Sequence, residues 1–199
     1  MMYYILHTTT RCNLRCRYCY VSHDSAPDMT AQTARTAVDL AGRDAARRVG
    51  IVFFGGEPLL LRELIYETVA YARKSNNNCA YTFRITTNGL LLDDEFIDFA
   101  RRENFLVSLS LDGVKEAHDA HRRDTAGHSS YDKVSAAAQR LLAVKPNSPA
   151  LMMVRPDTLI WYASGVEALF NLGFSRVVSS LVYSDDWQEE HLPELTSIT

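Results

Sequence analysis

No apolar stretch in these 199 residues approaches the length of a transmembrane helix, so no membrane-spanning role is expected. No run of lysines or arginines occurs either. The 21 Lys+Arg against 24 Asp+Glu leave a net charge of −3, which argues against a phosphate-backbone partner such as a nucleic acid. The start, Met1-Met2-Tyr3-Tyr4-Ile5-Leu6, has no basic n-region and no small-residue cleavage site, so export is not expected. Cysteine is scarce, with four in the chain, and clustered thiols in a non-exported chain point to metal rather than disulfides. The expected compartment is a reducing cytoplasm. What remains is ordinary: 47% hydrophobic and 23% charged residues suit one globular domain over 1–199. A chain of this length buries roughly 70% of its unfolded surface.

Three of the four cysteines stand as Cys12-x-x-x-Cys16-x-x-Cys19, directly behind an apolar N-terminal strand. Three thiolates in one short loop can hold three corners of an iron–sulfur cubane. With no fourth thiolate one iron keeps an open position, and an open position separates reactive metal sites from closed structural ones. On spacing alone, a structural zinc knot completed by His23, or unligated thiols, are the alternatives. Cys79 follows Asn76-Asn77-Asn78 in a helix-to-strand loop, at the N-terminal end of the strands. The other three follow a strand and belong at the opposite end, so Cys79 is not expected to be a ligand.

Apolar, β-branched or aromatic runs at 3–9, 51–54, 81–87, 105–111, 150–154 and 176–183 read as six strands. Five helical patterns separate them. The first runs from a cap near Thr30 to Val49, with Gly50 as its C-terminal stop. Leu61, Leu64, Ile65 and Val69 stripe the second. Asp93 caps the third, and Ser129 or Ser130 caps a fourth that runs to about Val144. The fifth ends near Leu172, with Gly173 behind it. Such alternation implies right-handed crossovers and a parallel sheet. Ile51-Val52-Phe53-Phe54 is apolar on both faces, as expected of a parallel strand covered by helices.

Polar residues collect at strand ends. Period-two alternation puts Ser108, Ser110 and Asp112 on one face, and Arg84, Thr86 and Asn88 alternate in the same way. Facing into a barrel, they would gather at its C-terminal mouth. A solvent-facing strand side, or plain turns at Asn88-Gly89 and Asp112-Gly113, are the ordinary alternatives. In Gly55-Gly56-Glu57-Pro58 the paired glycines allow unusual dihedrals and let a ligand approach the backbone. A strand-to-helix turn explains Gly and Pro equally well, but does not by itself require Glu57.

Taken in order, these motifs resemble the radical S-adenosylmethionine (SAM) superfamily. They are Cys12-x3-Cys16-x2-Cys19 with Tyr18 before the last cysteine, Gly55-Gly56-Glu57-Pro58, Thr87-Asn88-Gly89 and Ser108-Leu109-Ser110-Leu111-Asp112-Gly113. His118-Asp119-x-x-Arg122, with Gly127 and Tyr131-Asp132-Lys133-Val134 behind it, is similar to the subgroup that modifies peptides and proteins, sulfatase-maturating enzymes among them. The resemblance implies an α/β fold: a partial (βα)6 TIM-like barrel with parallel strands, holding a 4Fe–4S cluster on Cys12, Cys16 and Cys19. It implies one-electron cleavage of SAM to a 5′-deoxyadenosyl radical, which abstracts hydrogen from a peptide or protein side chain. Carried over by motif, Gly55, Gly56 and Glu57 would line the methionine amino group. Ser110, with Asn88 or Ser108, would face the ribose. Arg122 would pair with the SAM carboxylate, and Tyr18 would pack beside cluster and adenine. His118 and Asp119 read as surface-loop residues, and Asp185, Asp186 and Trp187 as the cap of a closing helix. An electron donor such as flavodoxin or ferredoxin is implied.

Larger members of that subgroup continue into a cysteine-rich domain with auxiliary clusters, and no cysteine follows Cys79 here, so no such domain is expected. A small-molecule radical SAM enzyme, a glycyl-radical activase and a non-enzymatic zinc or electron-transfer module are the other readings.

Overall fold

The computed structural model describes residues 2–22, 26–43, 48–75, 79–191, 193 and 195. His23, Asn76-Asn77-Asn78 and most of the final residues fall outside them. Strands and helices alternate in the order β1 (Met2–Thr9), α1 (Ala31–Arg43), β2 (Arg48–Gly55), α2 (Arg62–Lys74), β3 (Ala80–Thr87), α3 (Asp94–Arg102) and β4 (Leu106–Ser110). Then come α4 (Lys115–His121), α5 (Tyr131–Val144), β5 (Ala150–Val154), α6 (Tyr162–Asn171) and β6 (Val177–Leu181). The six strands lie in chain order in one open sheet, with β1–β2, β2–β3, β4–β5 and β5–β6 pairing parallel. This is the parallel α/β architecture expected from the alternation, and as an open six-stranded sheet it agrees with the partial barrel that the resemblance implies. Among the described residues no helix is long and apolar enough to cross a membrane.

The chain groups into two compact units. Met1–Asn13, Tyr20–Thr87 and Leu91–Ser108 form the first; Leu14–Cys19, Asn88–Leu90 and Leu109–Thr199 form the second.

An aromatic core holds the first unit together. Phe105 stacks on Phe83 at 5.3 Å and on Phe53 at 5.9 Å between ring centroids, with Phe96 edge-on and Phe99 tilted against it. Each such pair contributes about 0.5–1.5 kcal/mol beyond area burial. Of the expected stripe, Ile65 and Val69 of α2 are buried, Leu64 is half-buried and Leu61 stands in the 3-10 turn before the helix; Asp93 caps α3 through a 2.9 Å bond from Phe96 N. In the second unit, Leu109 of β4 and Leu111 just behind it are buried, as are Val134, Ala138 and Leu141 of α5 and Leu169 of α6.

Three expectations need correction. First, α1 ends at Arg43 and Gly50 lies inside β2, because the run that begins at Val49 joins the sheet and Tyr3 packs directly over that glycine. Second, helices cover one face of the strands and not both. Ile51 and Phe53 are fully buried, while Val52 and Phe54, which alternate with them, are half-buried. The same alternation runs along β3, where Tyr81, Phe83 and Ile85 are buried and Thr82, Arg84 and Thr86 are half-buried. Third, α4 was not foreseen, since seven residues are too few to show a helical apolar period.

Candidate functional site

The cysteine loop leaves the C-terminal end of β1, and its opening is pinned within the first unit. Gly56 N donates to Thr9 O at 2.7 Å and Glu57 N to Arg11 O at 2.9 Å. A Cβ on Gly56 would lie 2.1 Å from Arg11 O, so only glycine lets the backbones come this close. The paired glycines thus serve the chain's own Thr9–Arg11 backbone. Glu57 does have a turn role: its carboxylate caps the following 3-10 turn, accepting from Leu59 N at 3.0 Å and from the Thr87 hydroxyl at 2.8 Å. Cys12 belongs to this unit. Cys79, just ahead of β3, lies at the opposite strand end, as expected.

Cys16 and Cys19 belong to the second unit, where Cys19 N donates to Cys16 O at 3.1 Å in a tight turn. Leu14 pairs with Asp124 as an antiparallel bridge, Arg15 N donates to Arg123 O at 2.8 Å and Arg17 N to His121 O at 3.2 Å. The segment behind α4 therefore grips the cysteine loop strand-fashion, with Leu14 buried beneath it. None of the four cysteines is disulfide-bonded. Among the described residues, no three His, Cys, Asp or Glu side chains converge on one ion position. A cubane does not need such convergence, because each of its thiolates binds a different iron.

Behind this loop lies a buried polar network. Tyr18 Oη donates to Asp112 Oδ2 at 2.5 Å, Arg122 Nε donates to the same oxygen at 2.8 Å, and Met153 N donates to Asp112 Oδ1 at 2.9 Å. The Arg122 guanidinium also sits 5.3 Å from the Tyr18 ring centroid. Burial pushes the Tyr18 hydroxyl well above its usual range, so it stays a neutral donor. For Arg122 burial acts downward, but Asp112 outweighs it and the guanidinium is held charged.

The expected surface loop at His118 and Asp119 is instead buried helix. His118 Nδ1 accepts from Asp112 N at 3.3 Å, and its Nε2 meets Ser130 Oγ at 2.9 Å. Ser130 gives its own proton to Arg122 O at 2.6 Å, so the partners assign a neutral imidazole protonated on Nε2. Burial, then the Arg122 charge, lowers the His118 pKa to about 4. Asp119 supplies the α5 cap expected of Ser129 or Ser130. It accepts from Ser130 N at 3.1 Å, from Tyr131 N at 3.2 Å and from the Ser129 hydroxyl.

Asn88 is buried in a turn, accepting from Leu90 N at 3.0 Å. Ser108 and Ser110 are half-buried on the helix-free side of β4, and among the described residues their hydroxyls make no hydrogen bond. Asp185 was expected to cap a helix but pairs with Arg155 Nε at 2.6 Å. Arg155 also meets His121 Nδ1 at 3.2 Å, and His121 Nε2 meets Asp157 Oδ1 at 3.0 Å. Sequence reasoning missed this chain of groups, and only the position of Arg155 immediately behind β5 hinted at it.

A profile of the radical SAM superfamily matches residues 6–162. A cysteine-type anaerobic sulfatase-maturating enzyme of Clostridium novyi (strain NT) is 31% identical over 159 residues, covering 75% of this chain and 42% of that protein. A GTP 3′,8-cyclase of Chlorobaculum tepidum is 34% identical over 171 residues, covering 79% of this chain and 47% of that protein. The solved structure of native anSMEcpe with bound AdoMet and Kp18Cys peptide superposes with a TM-score of 0.91 at 25% identity, covering 99% of this chain and 59% of that one. The chain thus spans less than half the length of these two curated relatives.

Proposed function

The chain belongs to the radical SAM superfamily, and from that premise we propose that it abstracts a hydrogen atom from a peptide or protein side chain. It is an enzyme of that superfamily, whose cofactors are a 4Fe–4S cluster and SAM. Bound together, these supply hydrogen-atom abstraction through a 5′-deoxyadenosyl radical made by one-electron cleavage of SAM; the protein positions and shields that chemistry.

In this reading Cys12, Cys16 and Cys19 hold the cluster. Gly55, Gly56 and Glu57 form the turn for the methionine amino group, and the hydroxyls of Ser108 and Ser110, with Asn88, face the ribose. Arg122 commits Nε to Asp112, which leaves its terminal nitrogens for a carboxylate. Tyr18 sits between two of the cysteines and stays neutral. A flavodoxin or ferredoxin supplies the electron.

The observation that carries the peptide substrate is the likeness to the peptide-bound anSMEcpe structure. The motif shared with that subgroup is also the segment that grips the cysteine loop. The GTP 3′,8-cyclase relative supports a second reading, a small-molecule substrate. Anaerobic reconstitution with iron and sulfide, reduction with dithionite and mass spectrometry of 5′-deoxyadenosine tests both. Cleavage that is lost in Cys16→Ala, and deuterium transfer from a labelled peptide side chain, are the expected results. Turnover stimulated by GTP and by no peptide would replace the first reading with the second.

A further inference from the structure

On the helix-free face of the first unit's sheet lies Arg84, a cation with no counter-charge among the described residues. The parallel register places Ile5 opposite Val52 and Val52 opposite Arg84, one row across β1, β2 and β3. The next row toward the strand C-termini pairs His7 with Phe54, and the row on the other side runs Tyr3, Gly50, Thr82. The residues between them, Leu6, Phe53 and Phe83, are buried beneath helices. The rows themselves stay open: Tyr3 is 40% and Ile5 59% exposed, and Val52, Phe54 and Arg84 are half-buried.

Arg84 is held in place. A Cβ on Gly50 would lie 2.2 Å from the Tyr3 ring, so the missing side chain is what allows that ring to lie across β2. Tyr3 thereby reaches Arg84, whose Cζ sits 4.4 Å from the ring centroid and whose Nη2 donates to Tyr3 Oη at 2.6 Å. Among the described residues Arg84 has no carboxylate partner. In the same unit, Arg62 pairs with Asp93 at 2.7 Å and Arg73 with Glu103 at 3.0 Å. A guanidinium offers five N–H donors in a planar fork matched to a carboxylate, and stacking on tyrosine leaves that fork pre-oriented.

We propose that this face docks a peptide segment bearing an acidic side chain. Arg84 receives the carboxylate, and Tyr3, Ile5, Val52 and Phe54 contact the apolar residues flanking it. The proposal rests on the peptide reading above and names the substrate class for it. Charge complementarity selects the occupant. One guanidinium among apolar and aromatic neighbours suits a single carboxylate, whereas a nucleoside triphosphate calls for several donors or a divalent cation.

The test is fluorescence anisotropy, under anaerobic conditions, on the reconstituted protein with SAM present. The probes are two fluorescein-labelled peptides with Leu and Phe around a central Glu or, in the twin, Gln. The expected result is that the protein binds the Glu peptide about tenfold more tightly, as a charge-assisted fork contact allows. Arg84→Gln erases that preference while leaving the Gln peptide's affinity unchanged, and Arg84→Lys keeps part of it. Ile5→Asp weakens both peptides, because it sets a like charge beside the docked carboxylate and breaks the apolar row. Equal affinities for the two peptides overturn the proposal. So does an equal loss for both in Arg84→Gln, which makes Arg84 a scaffold residue. If the enzyme transfers label from a peptide yet ignores the central charge, this inference fails and the peptide reading stands. If GTP competes for Arg84 and no peptide binds, both fail.

Discussion

Tyr18 Oη meets Asp112 Oδ2 at 2.5 Å, tying the residue between two cysteines to the turn behind β4. The same oxygen holds the buried Arg122 guanidinium, so the carboxylate has unequal duties. Removing it strands a buried cation, which costs about 3–5 kcal/mol. Removing the Tyr18 hydroxyl leaves the ion pair intact and costs about 1 kcal/mol. Urea denaturation of Asp112→Ala and Tyr18→Phe is expected to show that gap. Equal losses would mean that the ion pair does not organise this unit.

Acid sensitivity follows from His118. Its folded pKa, about 4, lies below the ordinary 6.5 because burial and the Arg122 charge disfavour the imidazolium. Between those values the unfolded chain binds more protons than the folded one, so stability rises with pH across the window. The contribution is complete above about 6.5, shrinks as pH falls, and is gone below about 4. It amounts to roughly 3 kcal/mol at about 1.4 kcal/mol per pKa unit. The urea midpoint should therefore fall between pH 7 and pH 5, and His118→Gln should flatten that dependence. An equally steep fall in the variant would assign the acid sensitivity to other groups.

Much of the architecture was legible because strands and helices leave periodic traces. The six apolar runs, the Asp93 cap and the Gly173 stop at φ +110° all lie where local chemistry put them. The failures have physical causes. α4 is shorter than two full helical periods, so no stripe could reveal it. Gly50 reads as a helix stop unless one knows that the Tyr3 ring needs its space. His118 and Asp119 looked like solvent-facing polar residues because their partners, Asp112, Ser129 and Ser130, are set by tertiary packing. Glu57 seemed unexplained for the same reason, since Thr87 lies thirty residues on. The cysteine spacing and the strand-end glycines could point to the family because each motif is local.

Gly56→Ala should damage the loop without touching a thiol. The new methyl group would sit 2.1 Å from Arg11 O, a backbone atom that cannot swing aside. The segment leading to Cys12 must then shift, at about 1–3 kcal/mol for overpacking. Lower iron retention after anaerobic reconstitution, together with a lower urea midpoint, is the expected pair of results. Full iron loading at unchanged stability would show that the loop tolerates the displacement.

Iron content also separates the four cysteines. Cys12, Cys16 and Cys19 follow the C-terminal end of β1, while Cys79 precedes β3 at the other end of the strands. In the proposed ligand set, replacing a thiolate by alanine removes one of three cluster corners, and no spare thiolate is available at that end. Cys12→Ala, Cys16→Ala and Cys19→Ala are each expected to lose most of their iron and the visible absorbance of the cluster. Cys79→Ala should load as the parent protein does, and its half-buried position makes the loss of stability small. Iron retained in any of the first three variants would remove that residue from the ligand set. Iron lost in Cys79→Ala would mean that a thiol from the opposite strand end reaches the cluster, which parallel strand order forbids without rearrangement of β3.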